Sequence, residues 1–101
     1  MSGNTFLVEL MDGITEPRTR TSIARAYSSI VAGYSAGRIS DEKLKGILFE
    51  FAMDILLAKK PTADLDALKP EAEDWADKLY REIRKATIGL RYQKSSGISE
   101  W

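Results

Sequence analysis

Two carboxylates near the middle of the chain have the spacing of a possible catalytic or metal site. Glu50 and Asp54 lie four residues apart in the segment GILFEFAMDILLA, so in a helix they share one face. Such a pair can bind a cation or act as acid and base. However, two oxygen ligands without a histidine or a third acid on the same helix make a poor metal site. We therefore favour an exposed polar stripe, shared with Lys43, on an otherwise buried helix.

The composition excludes several classes of active site. The chain contains no histidine and no cysteine, which removes the commonest general base, thiolate chemistry and cysteine-ligated zinc. The serines of SIARAYSSI have no histidine to activate them, and no phosphate-binding or dinucleotide-binding glycine motif is present. We predict that the protein is not an enzyme and that it holds no metal and no cofactor.

Basic residues are concentrated in two segments, although the formal net charge of the chain is zero. Residues 17–38 contain four arginines and no acid, and residues 83–94 contain two arginines, two lysines and no acid. A guanidinium fork suits phosphate oxygens. The candidate nucleic-acid-binding residues are Arg18, Arg20, Arg25, Arg84, Lys85, Arg91 and Lys94.

Helix electrostatics accounts for only one of these two segments. The cations from Arg84 onward lie near the end of a predicted helix, where the helix dipole favours them. Arg18, Arg20 and Arg25 lie toward the start of a predicted helix, where the dipole disfavours cations. Either carboxylates of the same chain or of a protein partner compensate these arginines, or an external polyanion such as a nucleic-acid backbone does.

The elements that position these residues are predicted to be helices. Apolar residues at helical spacing predict a helix that begins after Thr15 and ends at Gly33 or Gly37. A central, largely apolar helix is expected to begin after Ser40, a good N-cap, and to stop before Pro61. The glycine at position 46 would let another helix approach this one closely.

The two ends of the chain complete the expected fold. The segment NTFLVELMDG is compatible with a strand or a helix, and helix is favoured because no partner strand is visible. The longest helix is predicted to open at Pro70 and to run to about Lys94, with an apolar seam typical of a packed bundle. We predict one domain, residues 1–101, folded as an all-α bundle of about four to five helices with a short flexible tail at 95–101.

The last residues, ISEW, are a candidate partner-binding segment. Ile98 and Trp101 follow a run of small residues, and tryptophan is enriched among interface hot spots. The tail either docks on another protein or folds back onto its own bundle. At the other end, MSGNTFLVELMDG has no basic start and too short an apolar stretch for a secretory signal, so we expect a cytoplasmic protein without membrane contact.

A resemblance follows from the arginines in EPRTRTSIARAY and the cations in RKATIGLRYQK. A helical domain of this size with basic residues on the outer side of a bundle resembles the small helical subunits of CRISPR effector complexes. The resemblance covers the architecture of the whole chain. It implies a role in antiviral defence, neighbours that include other protein subunits and further copies of the chain, and DNA or RNA binding through the backbone.

These observations predict a non-enzymatic accessory subunit of a nucleic-acid-handling complex. Such a subunit would make sequence-independent backbone contacts and position its partner subunits. The alternative is a protein–protein adaptor or structural assembly subunit, for example a polymerase accessory protein or a viral or secretion component, whose arginines pair with a partner's acids.

Overall fold

The computed structural model describes the backbone of residues 5–99 and the side chains of residues 6–87. This part of the chain forms four helices and contains no strand, which confirms the prediction of a small all-α bundle. The first segment is helical, as favoured over the strand. The helices are α1 (Thr5–Leu10), α2 (Pro17–Ser35), α3 (Asp41–Lys59) and α4 (Leu65–Ser99).

Helix α2 begins one residue later than predicted. Glu16, not Thr15, is the N-cap, and the Thr19 hydroxyl donates a 2.6 Å hydrogen bond to the Glu16 carboxylate. The chain leaves α2 through Gly37, whose φ of 84° is a left-handed conformation that favours glycine. Gly33, inside the helix, packs tightly: a Cβ there would lie 2.8 Å from Cδ1 of Ile39.

Helix α3 has the predicted bounds. The Ser40 side chain accepts a 3.2 Å hydrogen bond from the backbone N–H of Lys43, and the helix ends at Lys59, before Pro61. The prediction of a close helix approach at Gly46 is wrong. A Cβ at that position would meet no atom within 4 Å, because Gly46 borders an open groove.

Helix α4 is longer than predicted. It begins at Leu65, so Pro70 lies inside the helix and does not open it. Asp64 starts the helix: its carboxylate accepts from the N–H of Asp66, and its carbonyl accepts from the N–H groups of Ala67 and Leu68. Leu68, two residues before the proline, is buried, and this packing offsets the backbone hydrogen bond that proline removes. The helix also continues to Ser99, past the expected end near Lys94.

The apolar core lies where α3 meets the other helices. The largest fully buried side chains are five leucines: Leu10, Leu44, Leu48, Leu56 and Leu79. Burying each of them contributes roughly 1.5–3 kcal/mol relative to exposure. The predicted stripes are confirmed at Ile23 and Tyr27 of α2 and at Ile83 of α4, which are all buried.

Contacts between side chains set the directions of the helices. The Tyr27 ring of α2 packs on the Phe51 ring of α3, with centroids 5.9 Å apart, and the end of α2 meets the start of α3. Lys60, just after α3, forms a 3.4 Å ion pair with Glu71 near the start of α4. Helices α2 and α4 therefore both run antiparallel to α3.

Candidate nucleic-acid interface

Two of the predicted arginines share one exposed face of α2. Arg18 and Arg25 are both exposed and lie seven residues apart, which places them nearly in line and roughly 10 Å apart along the helix. Together with Pro17, Thr21 and Ser22 they line a shallow cleft of about 400 Å³. We call these five residues the arginine cleft.

The charges of the arginine cleft are not neutralised within the described part of the chain. No carboxylate among residues 6–87 lies within ion-pairing distance of Arg18 or Arg25. The ion pairs that the described side chains form lie on α4 or join it to Lys60. Of the compensation mechanisms proposed from the sequence, ion pairing with this chain's own described acids does not occur at these two residues.

Arg20 has a different environment, although it lies between them in sequence. Its guanidinium Nη1 donates to the carbonyl oxygens of Ile14 (2.7 Å) and Met11 (3.3 Å), which lie just after α1. Lys59 donates in the same way to the Leu10 carbonyl at 2.9 Å. Lys59 thus satisfies the carbonyl of the last residue of α1, where helix carbonyls lack intrahelical partners, and Arg20 fastens the turn that follows α1 to helix α2.

Arg84, in the second basic segment, also makes contacts within the bundle. It is half-buried, donates a long 3.4 Å hydrogen bond to the Tyr80 hydroxyl, and has its Cζ 5.8 Å from the centre of that ring. The hydrogen bond with Tyr80 and the charge interaction with that residue, followed by the charge of Asp41, raise the pKa of Arg84. Its Nε is buried and has no hydrogen-bond partner among the described residues.

Tyr34 joins α2 to the start of α3 beside Arg84. Its hydroxyl donates a 2.6 Å hydrogen bond to the Asp41 carboxylate. This hydrogen bond and burial raise the pKa of Tyr34, because both favour the neutral hydroxyl. One turn further along α4, the hydroxyls of Thr87 and Ser35 lie 3.5 Å apart. Arg84 therefore belongs to a polar contact region where α2, α3 and α4 meet.

The structure does not bring Arg84 together with the arginine cleft. Arg84 lies beside Tyr34, near the end of α2, whereas Arg18 lies sixteen residues earlier on that helix, roughly 24 Å away along its axis. Lys85 is exposed on α4. The side chains of Arg91, Lys94 and Ile98 and the whole of Trp101 lie outside the described residues.

Two grooves beside these residues were not found by reasoning from the sequence. The α2–α3 groove, of about 270 Å³, is lined mainly by Ile23, Ala26, Phe51, Asp54 and Ile55, and it shares Ser22 with the arginine cleft. The sequence gives little indication of this groove. The small side chain of Ala26 on α2 leaves space next to α3, and this space is evident only once the two helices are packed together.

The second groove lies between α3 and α4. It has a volume of about 420 Å³ and is lined mainly by Lys45, Gly46, Phe49, Ala76 and Tyr80. We call it the α3–α4 groove. The ammonium of Lys45 lies 4.9 Å from the centre of the Tyr80 ring, so a cation covers part of this apolar surface.

The carboxylate pair occupies the exposed stripe that was favoured from the sequence. Glu50, Asp54 and Lys43 are all exposed on α3. Within the described residues, no group of three or more histidine, cysteine or acidic side chains is arranged to hold a metal ion. No helix in this part of the chain has both the length and the apolar character needed to cross a membrane.

Comparisons with known proteins add no family to this description. No protein-family model, no curated protein and no solved structure matches the chain. The resemblance to small CRISPR subunits therefore stays a prediction.

Proposed function

We propose that the protein is a non-enzymatic accessory subunit of a nucleic-acid-handling complex, and that the arginine cleft contacts the phosphate backbone independently of base sequence. One observation supports this most directly. Arg18 and Arg25 are exposed, aligned on one helix face and without a carboxylate partner among the described residues. Guanidinium groups in this state suit phosphate oxygens.

The hydroxyl side chains of the cleft support the same proposal. Thr21 and Ser22 lie between the two arginines, and hydroxyl groups of this kind commonly donate hydrogen bonds to phosphate. A contact of these groups with phosphate would position the chain on a backbone without selecting a sequence. With a formal net charge of zero, the isolated chain should bind weakly and act mainly as part of a larger assembly.

The proposal is tested with Arg18→Gln and Arg25→Gln, singly and together, in the full chain. Binding to labelled oligonucleotides of unrelated sequences is measured by fluorescence anisotropy at about 50 mM salt, where backbone contacts are strong. Each change should weaken binding by about tenfold, to the same extent on every sequence, since a charged hydrogen bond contributes roughly 1.5–3 kcal/mol.

The matched control is Arg38→Gln with Lys43→Gln. Both residues are exposed and lie near the opposite end of α2, so this double variant removes the same charge from another surface. It should bind nearly as well as the unchanged protein. Equal losses in the two double variants would mean that only net charge matters, and a loss confined to one oligonucleotide would contradict backbone recognition.

One observation supports the alternative function, a protein–protein adaptor: the α3–α4 groove. Its half-buried Phe49 and Tyr80 leave apolar surface uncovered beside Lys45, and aromatic residues are enriched at the centres of protein interfaces. Gly46 is an exposed residue of this groove, and a Cβ there meets no atom within 4 Å. If Gly46→Glu, which adds a carboxylate to the groove, abolished assembly with a partner protein while oligonucleotide binding stayed unchanged, the groove would be a protein-binding surface.

A further inference from the structure

Resting on the proposed function, we infer that the nucleic acid bound by the arginine cleft is single-stranded, and that one unstacked base enters the adjoining α2–α3 groove. The inference comes from the junction of two surfaces of different chemistry. The arginine cleft is cationic and rich in hydroxyls, whereas the groove is largely apolar, and Ser22 borders both of them.

The lining of the groove suits a flat aromatic group. Ile23 and Ile55 are buried at the junction of the two helices, and Phe51 is half-buried there with its ring against Tyr27. Bases of single strands stack on such side chains with little dependence on sequence, because every base has an aromatic face. The proposed stacking is therefore compatible with sequence-independent binding.

The volume of the groove limits what it can take. At about 270 Å³ it lies just below the range of roughly 300–1,000 Å³ that holds a drug-sized ligand. It fits one planar ring system and not an entire nucleotide. The phosphate must then lie outside, on the side where Ser22 leads to the arginine cleft.

Charge fixes the orientation of the strand across the two surfaces. Asp54 is exposed on the α3 wall of the groove, and its carboxylate repels phosphate. Arg18 and Arg25, on the other side of Ser22, attract the phosphates. The polyanionic backbone would thus follow α2 while a base points toward α3.

Base pairing would prevent this arrangement. In a duplex the faces of the bases are stacked on one another, and only their edges are accessible in the grooves. A base can enter the α2–α3 groove only after it has left the stack, as bases do in single-stranded loops and ends. Single strands should therefore bind more tightly than a duplex with the same number of phosphates.

The experiment compares three oligonucleotides with nearly the same number of phosphates: a single strand, the same strand without its bases, and a duplex of half its length. Binding to the full chain is followed by fluorescence anisotropy and by amide chemical shifts in ¹H–¹⁵N spectra. The strand with bases should bind at least about fivefold more tightly than the abasic strand, the lower limit expected for one stacked base. It should also move the amide signals of Ala26 and Ile55.

A variant that fills the groove provides the matched comparison. Ala26 is exposed and lines the groove, whereas Ala32 is exposed on the same helix and lines the depression between α2 and α4. Leucine is a good helix former, so both Ala26→Leu and Ala32→Leu should keep the fold. Ala26→Leu should reduce binding of the normal strand to the level of the abasic strand, and Ala32→Leu should change neither.

The outcomes distinguish this inference from the proposed function. Equal affinity for the normal, abasic and duplex oligonucleotides, all lost in Arg18→Gln with Arg25→Gln, would overturn the base-in-groove inference and leave backbone binding in place. The same holds if Ala26→Leu has no effect. Failure of the unchanged protein to bind any of the three would overturn both proposals.

Discussion

The arginine cleft and the contacts of Arg20 and Arg84 use the same side chain in opposite ways. Arg18 and Arg25 are exposed and have no carboxylate partner among the described residues. Arg20 donates to two backbone carbonyls, and Arg84 donates to a tyrosine hydroxyl. A cluster of cations in the sequence therefore divides, once folded, into residues that hold the bundle together and residues that remain accessible to a ligand.

The difference arises from what lies next to each side chain, and not from the helix that carries it. Arg18 and Arg20 are two residues apart on α2, so they point in directions roughly 200° apart. One direction leads to solvent, and the other leads to the carbonyls that follow α1. Mutations at these positions should therefore separate stability from binding, which the predictions below test in order of decreasing effect on stability.

The largest effect is expected for Arg20→Ala. Losing the donor to the Met11 and Ile14 carbonyls should lower the free energy of unfolding by about 2–3 kcal/mol, because hydrogen bonds from charged groups contribute roughly 1.5–3 kcal/mol. The melting temperature, measured by circular dichroism, should fall by roughly 10 °C. Arg25→Ala, on the same helix, should change the free energy of unfolding by no more than about 0.5 kcal/mol. Equal losses in the two variants would contradict the distinction between arginines that support the fold and arginines of the cleft.

A smaller loss is expected for Arg84→Ala. Its hydrogen bond to Tyr80 is long, so the loss should be about 1 kcal/mol in urea denaturation. Lys85→Ala, the exposed neighbour, serves as the control and should be nearly silent. Oligonucleotide binding should be almost unchanged in both variants. If Arg84→Ala weakened binding as much as Arg25→Ala, Arg84 would belong to the nucleic-acid interface.

Alkaline pH should weaken the contact region around Arg84 specifically. The pKa of Tyr34 is raised, chiefly by its hydrogen bond to Asp41, so the stability from its neutral hydroxyl is present below pH 10.0, its ordinary pKa, and lost as pH rises through the raised value. Burial raises the pKa of Tyr27 to about 12, with the same sign.

Urea denaturation between about pH 9 and pH 12 tests this dependence. The free energy of unfolding of the unchanged protein should fall above pH 10. In Tyr34→Phe the free energy of unfolding should fall less steeply with pH, because only the contribution of Tyr27 remains. In Arg18→Gln with Arg25→Gln it should fall as in the unchanged protein. Identical slopes in all three proteins would show that the Tyr34–Asp41 hydrogen bond contributes nothing to stability.

The smallest effect on stability is expected for the arginine cleft. Arg18→Gln with Arg25→Gln removes two exposed charges that form no ion pair with a described carboxylate, and should change the free energy of unfolding by less than about 0.5 kcal/mol. Thermal unfolding checks this. A loss of several degrees would mean that these arginines support the fold, and their exposure would then not indicate a ligand.

Local features of the fold were predictable from the sequence, and contacts between distant residues were not. The Ser40 cap and the buried stripe through Ile23 and Tyr27 depend on residues within one or two turns, which periodicity and capping preferences describe well. The position of Pro70 inside α4 was missed because the burial of Leu68, a tertiary contact, outweighs the helix-breaking tendency of proline.

The same limit applies to the candidate site. Exposure of Arg18 and Arg25 follows from helical periodicity, because both lie on the side of α2 away from the buried Ile23 and Tyr27. The internal roles of Arg20 and Arg84 depend on carbonyls and a hydroxyl supplied by folding, and the α2–α3 groove exists only where Ile23 meets Ile55. The sequence shows where cations are concentrated, but the packing of the folded chain determines which of them remain accessible to a ligand.

The central claim, that Arg18 and Arg25 contact phosphates, is tested most directly by the salt dependence of binding. Affinity of the full chain for a single-stranded oligonucleotide is measured over a series of salt concentrations, and the slope of log K against log salt is compared among variants. Removing both arginines should reduce the slope by about 1.4, since each phosphate contact on a single strand contributes roughly 0.7. Arg38→Gln with Lys43→Gln should leave it unchanged. An unaltered slope after loss of Arg18 and Arg25 would contradict the account.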